Sequence, residues 1–224
     1  MLIPLTGAIF LNPTHMGDYF ELISLKEFDS TIQKLIKKAD LTKSIYLIKN
    51  DDGDSPTYLN NAATNAFIIN RYIVYDGNIK NKMVLNSVFS HELGHVFNFD
   101  VVFIIITAFA FMIINIFILN FLYKKTSTFE VENSEIGKGT IFLILVIFSN
   151  IILVIPILKI FNNIIVQFLE IRADLFSKDQ GYGEDLVKTL FFSDLNYPFN
   201  SSLLYSISNY NHPTPYFRST YLTE

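Results

Sequence analysis

The sequence predicts a mainly helical α+β membrane protein with a small β-hairpin sheet and a two-helix transmembrane hairpin. Three observations carry this expectation. Val101–Tyr123 is a 23-residue run without a formal charge, and Thr140–Leu158 is a second such run of 19 residues. Apolar residues recur at helical spacing on either side of those runs. Two β-type segments, Asn65–Ile69 and Tyr72–Tyr75, flank Asn70-Arg71 as a hairpin does.

Composition sets the outer limits. A chain of 224 residues gives room for one domain, 1–224, that includes its membrane spans. Half of the residues are apolar, with 22 Phe, which is high for a soluble domain. A net charge of −4 offers no basic surface for nucleic acid. There is no cysteine, so disulfides and thiolate ligands are excluded. Any metal must use carboxylates and the four histidines, at positions 15, 91, 95 and 212. Met1–Phe10 lacks a basic start and contains Pro4 and Gly7, so no signal peptide is expected there.

Met1–Asn12 is apolar but too short to span about 30 Å of hydrocarbon. Pro13 and Gly17 read as turns. Ser24 and Glu27 have the spacing of a capping box, and Phe28, Ile32, Leu35 and Ile36 follow on one stripe. They predict an amphipathic helix over Leu25–Ala39. Ile45–Ile48 is a short strand-like run, and Asp51-Asp52-Gly53-Asp54 a solvated turn. It lacks the terminal Glu of a twelve-residue calcium loop. In the hairpin that follows, an edge strand has an obvious use: a peptide substrate can add to it as an extra strand.

A helix is expected over about 81–98, and it carries His91, Glu92 and His95 in the pattern H-E-x-x-H. Positions i and i+4 lie on one helix face, one turn apart. Two imidazoles so placed can share a tetrahedral zinc ion, one per chain. The carboxylate just after the first ligand then points where a metal-bound water sits and can act as general base. The competing reading is an amphipathic helix with two surface histidines.

The two uncharged runs follow, at about 101–123 and 140–160. The first rises roughly 34 Å as a helix, enough for a bilayer. The competing reading is a pair of buried core helices, but a chain this size has little other surface to cover them. The connecting segment mixes Lys124, Lys125 and Lys138 with Glu130, Glu132 and Glu135, so charge asymmetry does not orient the hairpin. Both ends are expected to leave the membrane on one side.

The helix is expected to continue over about 161–180, where Glu170 emerges from apolar sequence. Catalytic zinc commonly takes His, His and Glu, which makes Glu170 the natural third ligand. Asp174, one turn on, is placed to accept the spare N–H of a ligating histidine. Gly181 and Gly183 end this helix, and Asp185–Leu195 forms another. Asn200-Ser201-Ser202 is a glycosylation sequon of low specificity. His212 is either a polar surface residue or a donor to the oxyanion of a tetrahedral intermediate.

Four blocks in this order resemble one family: Asn65-Ala66-Phe67, the His91–His95 motif, Glu170 with Ala173 and Asp174, and His212-Pro213 with Arg218. They look like the integral-membrane zinc metallopeptidases of the CAAX prenyl protease 1 type and the related heat-shock HtpX proteases. Ile9–Pro13, Leu195-Asn196, Leu204-Tyr205-Ser206 and Tyr210–Pro213 resemble the former more closely. The resemblance implies a gluzincin-like domain and removal of the C-terminal tripeptide after a prenylated cysteine. It implies a multi-pass protein of the endoplasmic reticulum membrane. By position, His91, His95 and Glu170 would bind zinc and Glu92 would be the base. Asp174 would orient a ligand and His212 would stabilise the oxyanion. Asn65, Ala66 and Phe67 would bind substrate on the edge strand, and Arg218 would hold the polar network.

Two features depart from the family. The resemblance starts near the end of the fifth of seven spans, so two spans are expected here, which fits a reduced enzyme, a truncated gene product, or a subunit that needs an oligomer or a partner for the missing spans. Val96 and Asp100 stand where the family commonly carries Trp and His. Two alternatives use the same residues differently. One is an HtpX-like quality-control protease acting on membrane proteins; the other is a non-catalytic membrane adaptor that kept the motif.

Overall fold

The computed structural model describes residues 20–48, 64–67, 72–76, 81–127, 135–193 and 201–223. Expectations for Met1–Gly17, Asp51–Asp54, Asn70-Arg71 and Asn200 lie outside these residues. The fold is mostly helical with one small sheet. Its residues form two compact units: 1–101, 169–201 and 213–224 make the first, and 102–168 and 202–212 the second.

In the first unit, β1 (Phe20–Leu22), β2 (Ile45–Ile48), β3 (Thr64–Phe67) and β4 (Tyr72–Asp76) form one sheet in the order β1-β2-β4-β3. The expected hairpin is there: β3 and β4 pair antiparallel, with Phe67 opposite Tyr72. The sheet is larger than the hairpin alone, because β2 runs parallel to β4 and β1 adds antiparallel to β2. β3 therefore lies at an edge.

The first helix, α1, spans Ser30–Lys38, shorter than the expected Leu25–Ala39. Ser24 caps only a 3-10 turn at Leu25–Glu27. Asp29 starts the α-helix, because its carboxylate accepts from both Thr31 N–H and Ile32 N–H, at 3.0 and 2.9 Å. Ile32 and Ile36 lie on the buried stripe of α1. They pack with Leu85, Phe89 and Leu93 of α2 (Lys82–Phe97), and with Phe28, Leu41 and Ile45, to make the main core. Those three α2 residues repeat every four positions and so occupy one face. His91 and His95 fall about 200° away from it, toward another packed surface.

In the second unit, α3 (Asp100–Ser127) and α4 (Glu135–Ser149) cover the two uncharged runs. A π turn at Asn150–Val154 joins α4 to α5 (Ile155–Asp179), so one helical path runs from the second run to Asp179. The π turn precedes Pro156, whose ring would otherwise meet a carbonyl one turn back. Asn115 Nδ2 donates to Asn150 Oδ1 at 3.4 Å, and Tyr123 packs edge-on to Phe142, as in an antiparallel hairpin. The helix Asp100–Ser127 and the continuous helical stretch Gly139–Asp179 are each long and apolar enough to cross a membrane. Their apolar side chains point outward, with Phe117 at 68% and Ile106 at 62% exposure, which removes the buried-core reading. Asn163 Nδ2 donates to Ile207 O, and Gln167 Nε2 to Tyr210 O, fixing α7 (Leu203–Asn209) within this unit.

Returning to the first unit, α6 spans Gly183–Ser193 and α8 Pro215–Thr223. Leu186, Leu190 and Leu222 bury a small satellite core between them.

Candidate metal centre

The site forms where α2 meets the C-terminal part of α5, and small residues make the approach close. A Cβ on Gly94 would lie 2.9 Å from Ala173 Cα and 3.0 Å from Ala173 O. Ala173 itself is fully buried. The glycine of H-E-L-G-H and the alanine of E-x-x-A-D are thus opposite faces of one tight crossing. That crossing brings Glu170 against His91 and His95.

The candidate ligand atoms of the three residues lie close together, one on each residue within 4.8 Å of the others, with each carboxylate oxygen of Glu170 nearest a different imidazole. His91 Nε2 lies 3.2 Å from His95 Nε2. Glu170 Oε2 lies 3.4 Å from His91 Nε2, and Glu170 Oε1 3.5 Å from His95 Nε2. Zinc–ligand bonds of about 2.05 Å in a tetrahedron give ligand–ligand edges of about 3.3 Å. The three side chains could therefore hold one metal ion.

Each imidazole is gripped from behind by a carboxylate. His91 Nδ1 is 2.9 Å from Asp174 Oδ1, and His95 Nδ1 is 2.8 Å from Asp100 Oδ2. With Nδ1–H donated to a carboxylate, each neutral ring turns a bare Nε2 lone pair inward. Two lone pairs 3.2 Å apart repel unless a cation lies between them.

Arg218, from α8, sets the charge of this layer. Its Nε and Nη2 donate to the two oxygens of Asp174 at 2.8 and 2.7 Å. Its Nη1 is 3.7 Å from Glu170 Oε2. The carboxylates of Glu92, Asp100, Glu170 and Asp174 are all buried. Among the described residues, the guanidiniums paired with these acids are Arg218, beside Asp174 and Glu170, and the partly exposed Arg172, beside Asp100. With neutral imidazoles the acids exceed the bases by two charges, an excess that a dication balances.

The same field acts on the rings. Burial opposes charge on His91, but hydrogen bonds to Asp174 and Glu170 outweigh it and raise its pKa. Burial also opposes charge on His95. There Asp100 and Glu170 prevail, and the pKa is pushed up to about 10. A ligating metal must displace these protons. The donor set, the edge lengths and the charge excess all fit zinc.

Of the residues expected from sequence, the structure brings His91, His95, Glu170, Asp174 and Arg218 together, with Glu92 buried beside them on α2. Asn65, Ala66 and Phe67 stand on the edge strand β3. His212 is the last residue of the second unit and is half-buried. Sequence reasoning passed over Asp100 and Arg172. No helical spacing signals them, since five residues along a continuous helix is about 140° off-face.

The comparisons with known proteins bear on the fold and the family. The crystal structure of Ste24p from S. mikatae matches with a TM-score of 0.57 at 20% identity. The match covers 91% of this chain and 50% of that one, so the chain spans about half of that protein's length. No curated protein matches the sequence. The model of peptidase family M48 matches residues 25–213, which takes in every candidate ligand. The chain belongs to peptidase family M48, a family of zinc-dependent metallopeptidases.

Proposed function

We propose that this protein is a zinc-dependent membrane endopeptidase that removes the C-terminal tripeptide of prenylated CAAX proteins at the endoplasmic reticulum membrane. The observation that carries the reading is the His91–His95–Glu170 cluster beside Glu92: the two Nε2 atoms are 3.2 Å apart, and the two oxygens of Glu170 lie 3.4 and 3.5 Å from them. The likeness of fold to Ste24p and the two outward-facing apolar helices support the substrate class and the membrane setting.

When bound, zinc would acidify a water and polarise the scissile carbonyl. His91, His95 and Glu170 would hold it. Glu92 takes a proton from the attacking water and delivers it to the leaving amine. Asp174, fixed by Arg218, keeps the His91 ring in its Nδ1–H tautomer. The family resemblance assigns the donor to the developing oxyanion to His212. Asn65, Ala66 and Phe67 offer the edge of β3, along which an extended peptide adds by main-chain hydrogen bonds.

The test is cleavage of matched peptides, prenylated and unprenylated, by the full chain reconstituted in vesicles, with chelator and zinc add-back. Release of the tripeptide from the prenylated peptide alone is the expected result. Equal cleavage of both, or cuts in exposed loops of membrane proteins, would replace the substrate assignment with the quality-control reading. Glu92→Gln should keep zinc and lose activity by orders of magnitude. Full turnover in that variant would refute the assignment of the base. Absence of stoichiometric zinc in the native protein would favour the adaptor reading.

A further inference from the structure

Asp100 has no part in the function proposed above, yet it is 1% exposed and its Oδ2 lies 2.8 Å from His95 Nδ1. A buried carboxylate is costly unless it does something in return. Its environment differs from that of Asp174. Asp174 is clamped by two hydrogen bonds from Arg218. The only ion pair of Asp100 with a guanidinium among the described residues is with Arg172 Nη1, at 3.5 Å. The Arg172 side chain is 32% exposed, so its charge is partly spent on solvent. Asp100 therefore presents the less neutralised charge of the two.

The backbone reaches this arrangement by an unusual route. Helix α2 ends at Phe97, with Asn98 as its cap. Phe99 then takes a left-handed conformation, φ 56°, that a bulky L-residue seldom adopts. This one-residue reversal breaks the helix and returns Asp100 to His95, where a continuous helix would carry it about 140° away. Arg172 Nη2 donates to Asn98 O at 3.2 Å and pins the turn from α5.

We propose that Asp100 is the positioning residue of His95: its carboxylate holds the ring's Nδ1–H, aims Nε2 at the zinc and strengthens it as a ligand. The metal is thus gripped through two carboxylate–histidine pairs, Asp174–His91 and Asp100–His95. The inference rests on the zinc reading. Carboxylates hydrogen-bonded to a metal-ligating histidine typically change metal affinity by about 10–100-fold when removed.

The experiment uses the full-length protein in detergent, stripped of metal. Zinc affinity is measured by competition with a chromophoric chelator, and cobalt(II) serves as a spectroscopic probe of the same site. Asp100→Ala should weaken zinc binding by about 10–100-fold and shift the cobalt d–d bands. Asp100→Asn keeps an acceptor oxygen but not the charge, and should fall between Ala and native. Far-UV circular dichroism of both metal-free variants should match native. Native zinc affinity and an unshifted cobalt spectrum in Asp100→Ala would overturn the inference alone. So would loss of metal only together with loss of helicity in both variants, since that marks a general folding role. A native protein that binds no zinc would overturn this inference and the zinc reading together.

Discussion

Gly94→Ala puts the α2–α5 crossing under direct test. In an ordinary helix interior the change stabilises by about 1 kcal/mol, because glycine carries the larger entropic cost. Here the new methyl would sit 2.9 Å from Ala173 Cα, 3.0 Å from Ala173 O and 3.2 Å from Phe176 Cβ. Carbon atoms prefer about 3.5–4.0 Å, so the helices must part by roughly 0.5 Å or more. The two nearest atoms are backbone and cannot rotate away. Overpacking of this kind costs about 1–3 kcal/mol, which cancels or exceeds the propensity gain.

The displacement also falls on the ligands. The edges from Glu170 to His91 and His95 are already 3.4 and 3.5 Å. Lengthening them moves the donor atoms away from the roughly 3.3 Å ligand–ligand spacing of a zinc tetrahedron. We expect zinc affinity to fall roughly tenfold, equivalent to about 1.4 kcal/mol. The apo melting temperature should stay level or drop by a few degrees, at about 2–4 °C per kcal/mol for a chain of this size. Gly139→Ala is the companion variant, since its methyl would meet nothing within 4 Å. The assays are thermal unfolding in detergent and chelator competition. If Gly94→Ala gains stability as Gly139→Ala does, and binds zinc as native does, the close-crossing account is wrong.

Arg218→Ala leaves Asp174 buried without its two guanidinium bonds and should destabilise the fold by about 3–5 kcal/mol. Arg218→Lys keeps charge but not the fork and should lie between; an unchanged melting temperature in the Ala variant would contradict this. Zinc loading at pH 7 should release close to one proton from His95, whose pKa is pushed up to about 10, with further release from His91, which is raised in the same sense. Apparent zinc affinity should then climb with pH through the neutral range, and calorimetry in two buffers of different ionisation enthalpy would reveal any failure to release protons. For the metal-free fold the sign reverses. A raised His95 pKa contributes stability that is full below the unfolded value of 6.5 and is lost as pH rises toward about 10.

How far the site could be read from sequence follows from what periodicity encodes. His91 and His95 are one turn apart, and Glu170 is an acid in an apolar helix, so spacing and contrast flag all three. The reason for Gly94 and Ala173 is invisible in either helix alone, since it exists only where the two cross. Asp100 was hidden for a different reason. Its placement depends on Phe99 at φ 56°, and propensity gives no warning of a phenylalanine there. The hairpin of β3 and β4 follows from alternation and turn chemistry. The parallel pairing of β2 with β4 joins segments far apart in sequence, which local pattern does not determine. At the start of α1, Ser24 and Asp29 both offer cap chemistry. Asp29 prevails through two bonds to the helix, whereas Ser24 makes one of 3.3 Å to Lys26 N–H.

The two-charge excess of acid around the ligands also bears on how long a molecule of this protein survives. A ligand that binds only the folded chain adds stability that grows with its free concentration, about 2.7 kcal/mol at a hundredfold over Kd. A chain that lacks its dication must keep its buried acids in check with protons on His91 and His95 instead. Scarcity of metal would then raise the unfolded fraction as well as empty the site, exposing the chain to cellular proteolysis. Abundance in metal-starved cells, followed against an Asp174→Asn variant with one less buried charge, would report that dependence without any substrate.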